Sequence, residues 1–197
     1  RGCPWDCDFC TVTDIYGNKY RRKSDEWVKE ELKRIPPHAY NIFFSDDNLV
    51  ASGGFRDISR LEAIADAGFQ KRNRVAQVTV STAKNDKILE MLKRAGISVL
   101  CVGIESLSDE TLASLNKPFS AQKNKEGVKK FREAGFFVHG MMMCGGEGDT
   151  LESLDETSEW INTNLDSMQI SAPVPFPGTK FTKQMEEEGR ILTKDWS

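Results

Sequence analysis

The 197-residue sequence has no apolar run near the roughly 20 residues that span a bilayer. Its N-terminus also lacks the basic-then-apolar pattern of a secretory signal, so a cytoplasmic protein is expected. Charge of one sign is scarce too. The 27 Lys and Arg against 30 Asp and Glu leave a formal charge of −3, which encodes no general pull toward nucleic acid or anionic lipid. No nucleic-acid partner is therefore expected. Histidine is down to two residues, His38 in a turn after Pro37 and His139 inside an apolar run. Neither has a visible catalytic partner, and both read as structural. An initiator Met is missing: Arg1-Gly2-Cys3 opens the chain abruptly and Asp195-Trp196-Ser197 closes it as abruptly, as in a piece of a longer protein. What is present is ordinary. With 39% hydrophobic and 29% charged residues, the chain is a globular one able to bury one sizeable core, which sets aside disorder and collagen.

Helix signals and short apolar runs alternate along most of the length. Ala67-Gly68-Phe69, Ala95-Gly96-Ile97 and Ala134-Gly135-Phe136 each read as a helix end, with Gly in the left-handed position and a bulky residue to pack back on the last turn. The runs that follow are β-like: Val75 to Ser81, Val99 to Ile104 and Phe136 to Cys144, with further strands at Asn41 to Ser45 and Ser167 to Ala172. Near-continuous apolar runs fit parallel strands covered on both faces. Ser24, Asp86, Ser108 and Asp149 with Glu152 supply helix starts. Val28, Leu32 and Ile35 line one helix before Pro36-Pro37, and Leu151, Leu154, Ile161 and Leu165 form a stripe on another. Polar or glycine-rich clusters stand after almost every strand. Loops converge on one mouth in a barrel but only at a switch point in an open sheet, so a barrel or partial barrel is favoured.

Five cysteines is an odd count, and Cys3, Cys7 and Cys10 crowd into eight residues, a pattern that suits metal better than a disulfide framework. Four readings compete for the C-x3-C-x2-C loop. Zinc in a closed site needs a fourth ligand from Cys101, Cys144 or a histidine, although the two thiols read as buried core groups. A ferredoxin-like carrier needs four cysteines and a different spacing. Thioredoxin-like chemistry at Cys7 and Cys10 leaves Cys3 unexplained. The fourth reading is a four-iron cluster on three thiolates, with one iron open to a substrate or cofactor.

Here a family resemblance enters. Arg1-Gly2-Cys3-Pro4-Trp5-Asp6-Cys7-Asp8-Phe9-Cys10 resembles the cluster loop of radical S-adenosylmethionine (SAM) enzymes, with an aromatic residue before the third cysteine. Phe43 to Leu49, with Asp46-Asp47-Asn48, is similar to the acidic loop after the second barrel strand in cobalamin-associated members. Val102 to Leu112 with Asn116-Lys117, Gly140 to Thr150, and Pro173 to Thr179 resemble the fourth-, fifth- and sixth-strand segments. Cys144 departs from the small or apolar residue usual there.

The resemblance implies an α/β fold, a partial (β/α)6 TIM-like barrel of parallel strands whose first strand lies outside the chain. Residues 1–197 would be the core domain, with a cobalamin-binding domain before it and a further region after it. Cys3, Cys7 and Cys10 would ligate a 4Fe-4S cluster, and SAM would chelate the fourth iron and be cleaved to a 5′-deoxyadenosyl radical. Methyl transfer to a lipid, cofactor or natural-product intermediate would follow, with cobalamin held outside this chain and a flavodoxin or ferredoxin as electron donor. Phe9 would lie against the adenine, or simply plug the cluster from water. Asp46, Asp47 and Asn48 would take the ammonium of SAM, unless they only form a turn. Glu105 and Ser106 would meet the ribose hydroxyls, unless they cap the next helix. Ser81 and Thr82 are weaker cofactor candidates, and Gly145 to Gly148 either lets a ligand approach the backbone or makes a tight turn. The basic run Lys19 to Lys23 either meets an anionic group near the cluster or lies in solvent, and Met141-Met142-Met143 is core or an adaptable cavity wall. The alternatives are a methylthiotransferase with a second cluster domain, or an electron-carrying module without enzymatic activity.

Overall fold

The computed structural model describes residues 1–51, 54–68 and 73–195. Its centre is a sheet of five strands, β1 (Asn41–Phe44), β2 (Asn73–Val78), β3 (Ile97–Glu105), β4 (Phe137–Met143) and β5 (Ser167–Ser171). They lie in chain order and every neighbouring pair is parallel. The strand order never reverses, so there is no switch point, and the strands form an arc of a barrel that is not closed.

Parallel neighbours require crossovers. After α1 (Thr11–Tyr16) and α2 (Asp25–Lys33), they are made by α3 (Phe55–Asp66), α4 (Asp86–Arg94), α5 (Asp109–Ser114) with α6 (Ala121–Glu133), and α7 (Leu151–Asn164); α8 (Lys180–Glu187) follows β5. Along β3, Leu100, Val102 and Ile104 are buried while Val99 and Cys101 are only half covered. The first set packs into a core shared with Ile64, Ile88, Leu92, Val128 and Phe131. The second set is less covered, which is where the expectation of two fully covered faces fails.

Local chemistry sets the element ends. At the end of α6, Gly135 has φ +77°, its N–H donates to the Arg132 carbonyl and the Phe136 N–H reaches back to Phe131. The Phe131 and Phe136 rings then meet edge to face at 6.4 Å, the expected packing back on the last turn. Gly68 and Gly96 have positive φ as well, while Phe69 lies outside the described residues. Ser24 and Ser108 cap α2 and α5 as expected.

Several expectations need correction. The cap of α4 is Asn85, whose side chain accepts from the Lys87 and Ile88 amides, and Asp86 is the first helical residue. The capping box of α7 is Thr150 with Ser153, because Asp149 is drawn away by other donors. Strand β2 stops at Val78, and Val80–Lys84 forms a 3-10 turn in which the Thr79 and Ser81 hydroxyls bond each other at 2.7 Å. Side-chain bonds of this kind compete with the ladder. On α7 only Ile161 is buried and Leu151 is 84% exposed, because the helix meets the core near its C-terminal end, where Trp160 and Leu165 pack. Cys144 is exposed just past the end of β4, so it is no core thiol, whereas Cys101 is half-buried.

Candidate functional site

The cysteine loop is shaped from its first residues. Gly2 has φ +90°, and a Cβ there would sit 2.9 Å from the Gly17 carbonyl, so only glycine lets the strand of loop at residues 17–19 return so closely. Cys10 donates to the Cys7 carbonyl at 3.1 Å and is the N-cap of α1. Two distant elements then grip the loop. The Asp8 N–H donates to the Leu115 carbonyl, and the Asn116 amide donates to the Asp6 carbonyl at 2.8 Å and to Asp8 Oδ1 at 3.0 Å. From the start of α8, the Phe181 N–H donates to the Asp8 carbonyl at 2.9 Å and Lys180 meets Asp6 at 2.5 Å.

Cys3, Cys7 and Cys10 are half-buried and close enough to feel one another's charge. Burial pushes the Cys7 thiol up to about 11 and raises Cys3 and Cys10 as well, while the Lys117 ammonium pulls all three back. Cys101 is raised by burial alone. Among the described residues, no three His, Cys, Asp or Glu side chains close on a single metal ion.

Lys117 also meets Glu105 Oε1 at 2.7 Å, with side-chain exposures of 7% and 11%. Burial alone would lower the Lys117 ammonium, but Glu105 and the thiols of Cys7 and Cys10 raise it above the usual lysine range. Room for the pair comes from Gly103, where a Cβ would lie 2.7 Å from Glu105 Oε1 and 3.3 Å from Lys117 Nζ. Glu105 itself has φ +63°, a region that costs a non-glycine residue about 1–3 kcal/mol. The β3–β4 register shifts between Gly103 and Glu105. That irregularity turns the carboxylate at the end of an apolar strand toward the mouth of the arc.

The predicted site residues divide into groups. Phe9 and Glu105 line one cavity of about 420 Å³ with Met141, Met143, Gln169 and Phe176. The methionine triplet divides between its two readings: Met141 and Met143 help form the cavity wall, while Met142, 3% exposed, packs into the core. Asp46 and Asp47 line a second cavity of about 720 Å³ with Arg1, Arg21, Arg22 and Lys23, so the basic run does approach the acidic loop. Tyr20 donates to Asp46 Oδ1 at 3.3 Å. Asn48 is 1% exposed, and neither its amide nitrogen nor its amide oxygen has a partner among the described residues. Ser106 accepts from the Ser108 amide, a local turn bond. Ser81 lies apart, in a cavity with Phe119 and Lys123. Gly145 is apart too: its N–H and that of Gly146 donate to the Asp149 carboxylate at 2.7 and 2.9 Å, and Thr111 donates to the other oxygen. The glycine-rich turn thus folds on itself and on α5. His139 bonds Ser167 at 2.8 Å.

Three thiols from one loop, facing a buried cation and a carboxylate at the ends of parallel strands, define a cofactor site of a recognisable class. Residues 1–161 match the family model "Radical SAM superfamily", and the chain belongs to that superfamily. Over its full length it is 29% identical to hopanoid C-3 methylase of Methylococcus capsulatus and 27% identical to bacteriochlorophyllide d C-12(1)-methyltransferase of Chlorobaculum tepidum. It spans 37% and 43% of those two proteins. The fold matches the radical SAM methyltransferase TsrM of Kitasatospora setae, solved with cobalamin and a [4Fe-4S] cluster, at a TM-score of 0.84 and 16% identity, covering 99% of this chain and 37% of that one. Among the described residues, no helix is long and apolar enough to cross a membrane.

The donor set fits an iron-sulfur cluster that leaves one iron without a protein ligand. The three half-buried thiols come from one loop, while Cys101 sits within β3 and Cys144 is exposed past the end of β4. Lys117, Asn116 and their fold-back onto the cluster loop were visible in the sequence only as a pair following the fourth-strand segment. The burial of Lys117 and the reach of the exposed Asn116 to the loop depend on the chain turning at Asn116, φ +52°, which no local pattern announces.

Proposed function

We propose that this chain is the core of a radical SAM enzyme, a methyltransferase acting with cobalamin held by a domain outside these residues. The observation that carries the reading is Lys117. One buried ammonium acts on all three thiols of the loop and pairs with Glu105, so the cluster side and the SAM side share one charge. Cys3, Cys7 and Cys10 would hold the 4Fe-4S cluster. When bound, that cluster supplies an electron and an open iron for the reductive cleavage of SAM to a 5′-deoxyadenosyl radical.

The protein's own part is to bind, orient and exclude water. Phe9 would cover the adenine from the cavity it shares with Met141 and Phe176. Asp46, Asp47 and the unpartnered Asn48 would receive the ammonium of SAM, and Glu105 would accept from the ribose hydroxyls. The methionine wall supplies an adaptable apolar face, which supports a small-molecule or lipid substrate. A flavodoxin or ferredoxin would deliver the electron.

The test is electron paramagnetic resonance of the anaerobically reconstituted, reduced protein before and after SAM is added. A spectral change with SAM, absent in Cys7→Ala, is the expected result. An unchanged spectrum from an intact cluster would point to an electron carrier or to a piece of the protein lacking part of its SAM site, and tight zinc binding with no cluster would end the radical reading.

A further inference from the structure

Glu105 sits in a conformation it would not choose. Its φ is +63°, and the Ser106 N–H closes on the Ile104 carbonyl at 2.9 Å across it, a three-residue turn of the strained hand. The turn points both flanking carbonyls away from the ladder. They are received by one side chain. Asn124 on α6, fully buried, donates from Nδ2 to the Ile104 carbonyl at 2.9 Å and to the Ser106 carbonyl at 3.1 Å. Only the amide nitrogen can face two carbonyl oxygens, so its orientation is fixed. Its Oδ1 has no partner among the described residues. A buried amide that leaves one atom unsatisfied is retained at a cost. The two bonds it does make bracket a single residue.

We propose that Asn124 is a positioning residue for Glu105. From outside the cavity it holds the turn that aims the carboxylate, and so sets the site's selectivity for a ligand bearing a vicinal diol. The inference rests on the reading of Glu105 as the ribose acceptor. An aspartate at position 124 would turn a carboxylate on two carbonyls, and an alanine would take the side-chain donor from both, leaving the Ile104 carbonyl only the strained Ser106 N–H of the turn itself.

The experiment uses the full-length, cluster-loaded protein and measures the dissociation constants of SAM and of its 2′-deoxyribose analogue from the change in the reduced-cluster spectrum. The wild-type protein is expected to prefer SAM by about tenfold or more, as a hydrogen bond to a charged acceptor gives. Asn124→Ala should bring the two constants within about threefold, as should Glu105→Gln, and the double variant should lose no more than either. Asn124→Ser, which keeps one donor, should lie between and carries the test if the alanine variant does not fold. A role in packing alone would lower the melting temperature and leave the preference intact. A wild-type preference retained in Asn124→Ala or Asn124→Ser therefore overturns the inference while the proposed function stands. A wild-type protein that does not bind SAM overturns both.

Discussion

Lys117 and Glu105 are almost out of water, at 7% and 11% side-chain exposure, and they meet at 2.7 Å. Forming such a pair in the interior is close to neutral, but removing one member strands a buried charge, at about 3–5 kcal/mol. Lys117→Met should lose stability of that order in urea denaturation at neutral pH. Adding Glu105→Gln should restore part of it, and a double variant no better than the single one would refute the coupling. Of this pair only Glu105 stood out in the sequence, as a carboxylate ending an apolar run. Ser81, a weaker candidate, and Gly145, open between ligand approach and a tight turn, lie in other cavities, because a 3-10 turn rotates the first away and Asp149 takes the amide of the second. What each residue's neighbours do to it is not written beside it.

At the scale of elements, α2 and α3 are joined through one carboxylate. Asp25 accepts from the Ser59 hydroxyl and from Arg60 Nε at 2.8 Å, and Arg22 Nη2 lies at 3.5 Å. Burial alone would raise the Asp25 carboxyl, but the Ser59 and Arg60 bonds outweigh it and hold it below the usual aspartate range. A depressed carboxyl stabilises the fold above its unfolded value, near 3.9, and that contribution fades as the pH falls through the folded value. Thermal melts from pH 6 down to 2.5 should therefore show a loss that sets in as the pH falls below about 3.9 and is smaller in Asp25→Asn. An unchanged acid slope in that variant would assign the loss elsewhere. The helix starts and glycine stops were legible because a cap is a local matter. The errors at Asp86 and Asp149 were shifts of one residue: at the first the Asn85 side chain next door takes the amides, and at the second Asp149 is engaged by Gly145, Gly146 and Thr111 while Thr150 caps the helix.

The whole molecule was legible as parallel strands with their loops at one mouth, because that inference needs only the positions of polar clusters along the chain. Closure over distance was not. The cluster loop is held by Leu115 and Asn116 on one side and by the start of α8 on the other, with Lys180 and Asp6 standing 174 residues apart. The exposed Lys180–Asp6 pair should matter little to stability, whereas Phe181→Ala removes a 9% exposed ring and should cost about 3–5 kcal/mol. Iron release to a chelator should quicken in Phe181→Ala and stay near the wild-type rate in Lys180→Ala. Equal rates in all three proteins would mean that α8 does not hold the loop. The grip also has a direction in time. Lys180 is synthesised 174 residues after Asp6, so at about 5–20 residues per second the thiols wait roughly 10 to 35 s for the segment that fixes them. Through that interval the three cysteines lack the α8 contacts that later hold their loop, so what they first meet is set by the order of synthesis and not by the finished fold.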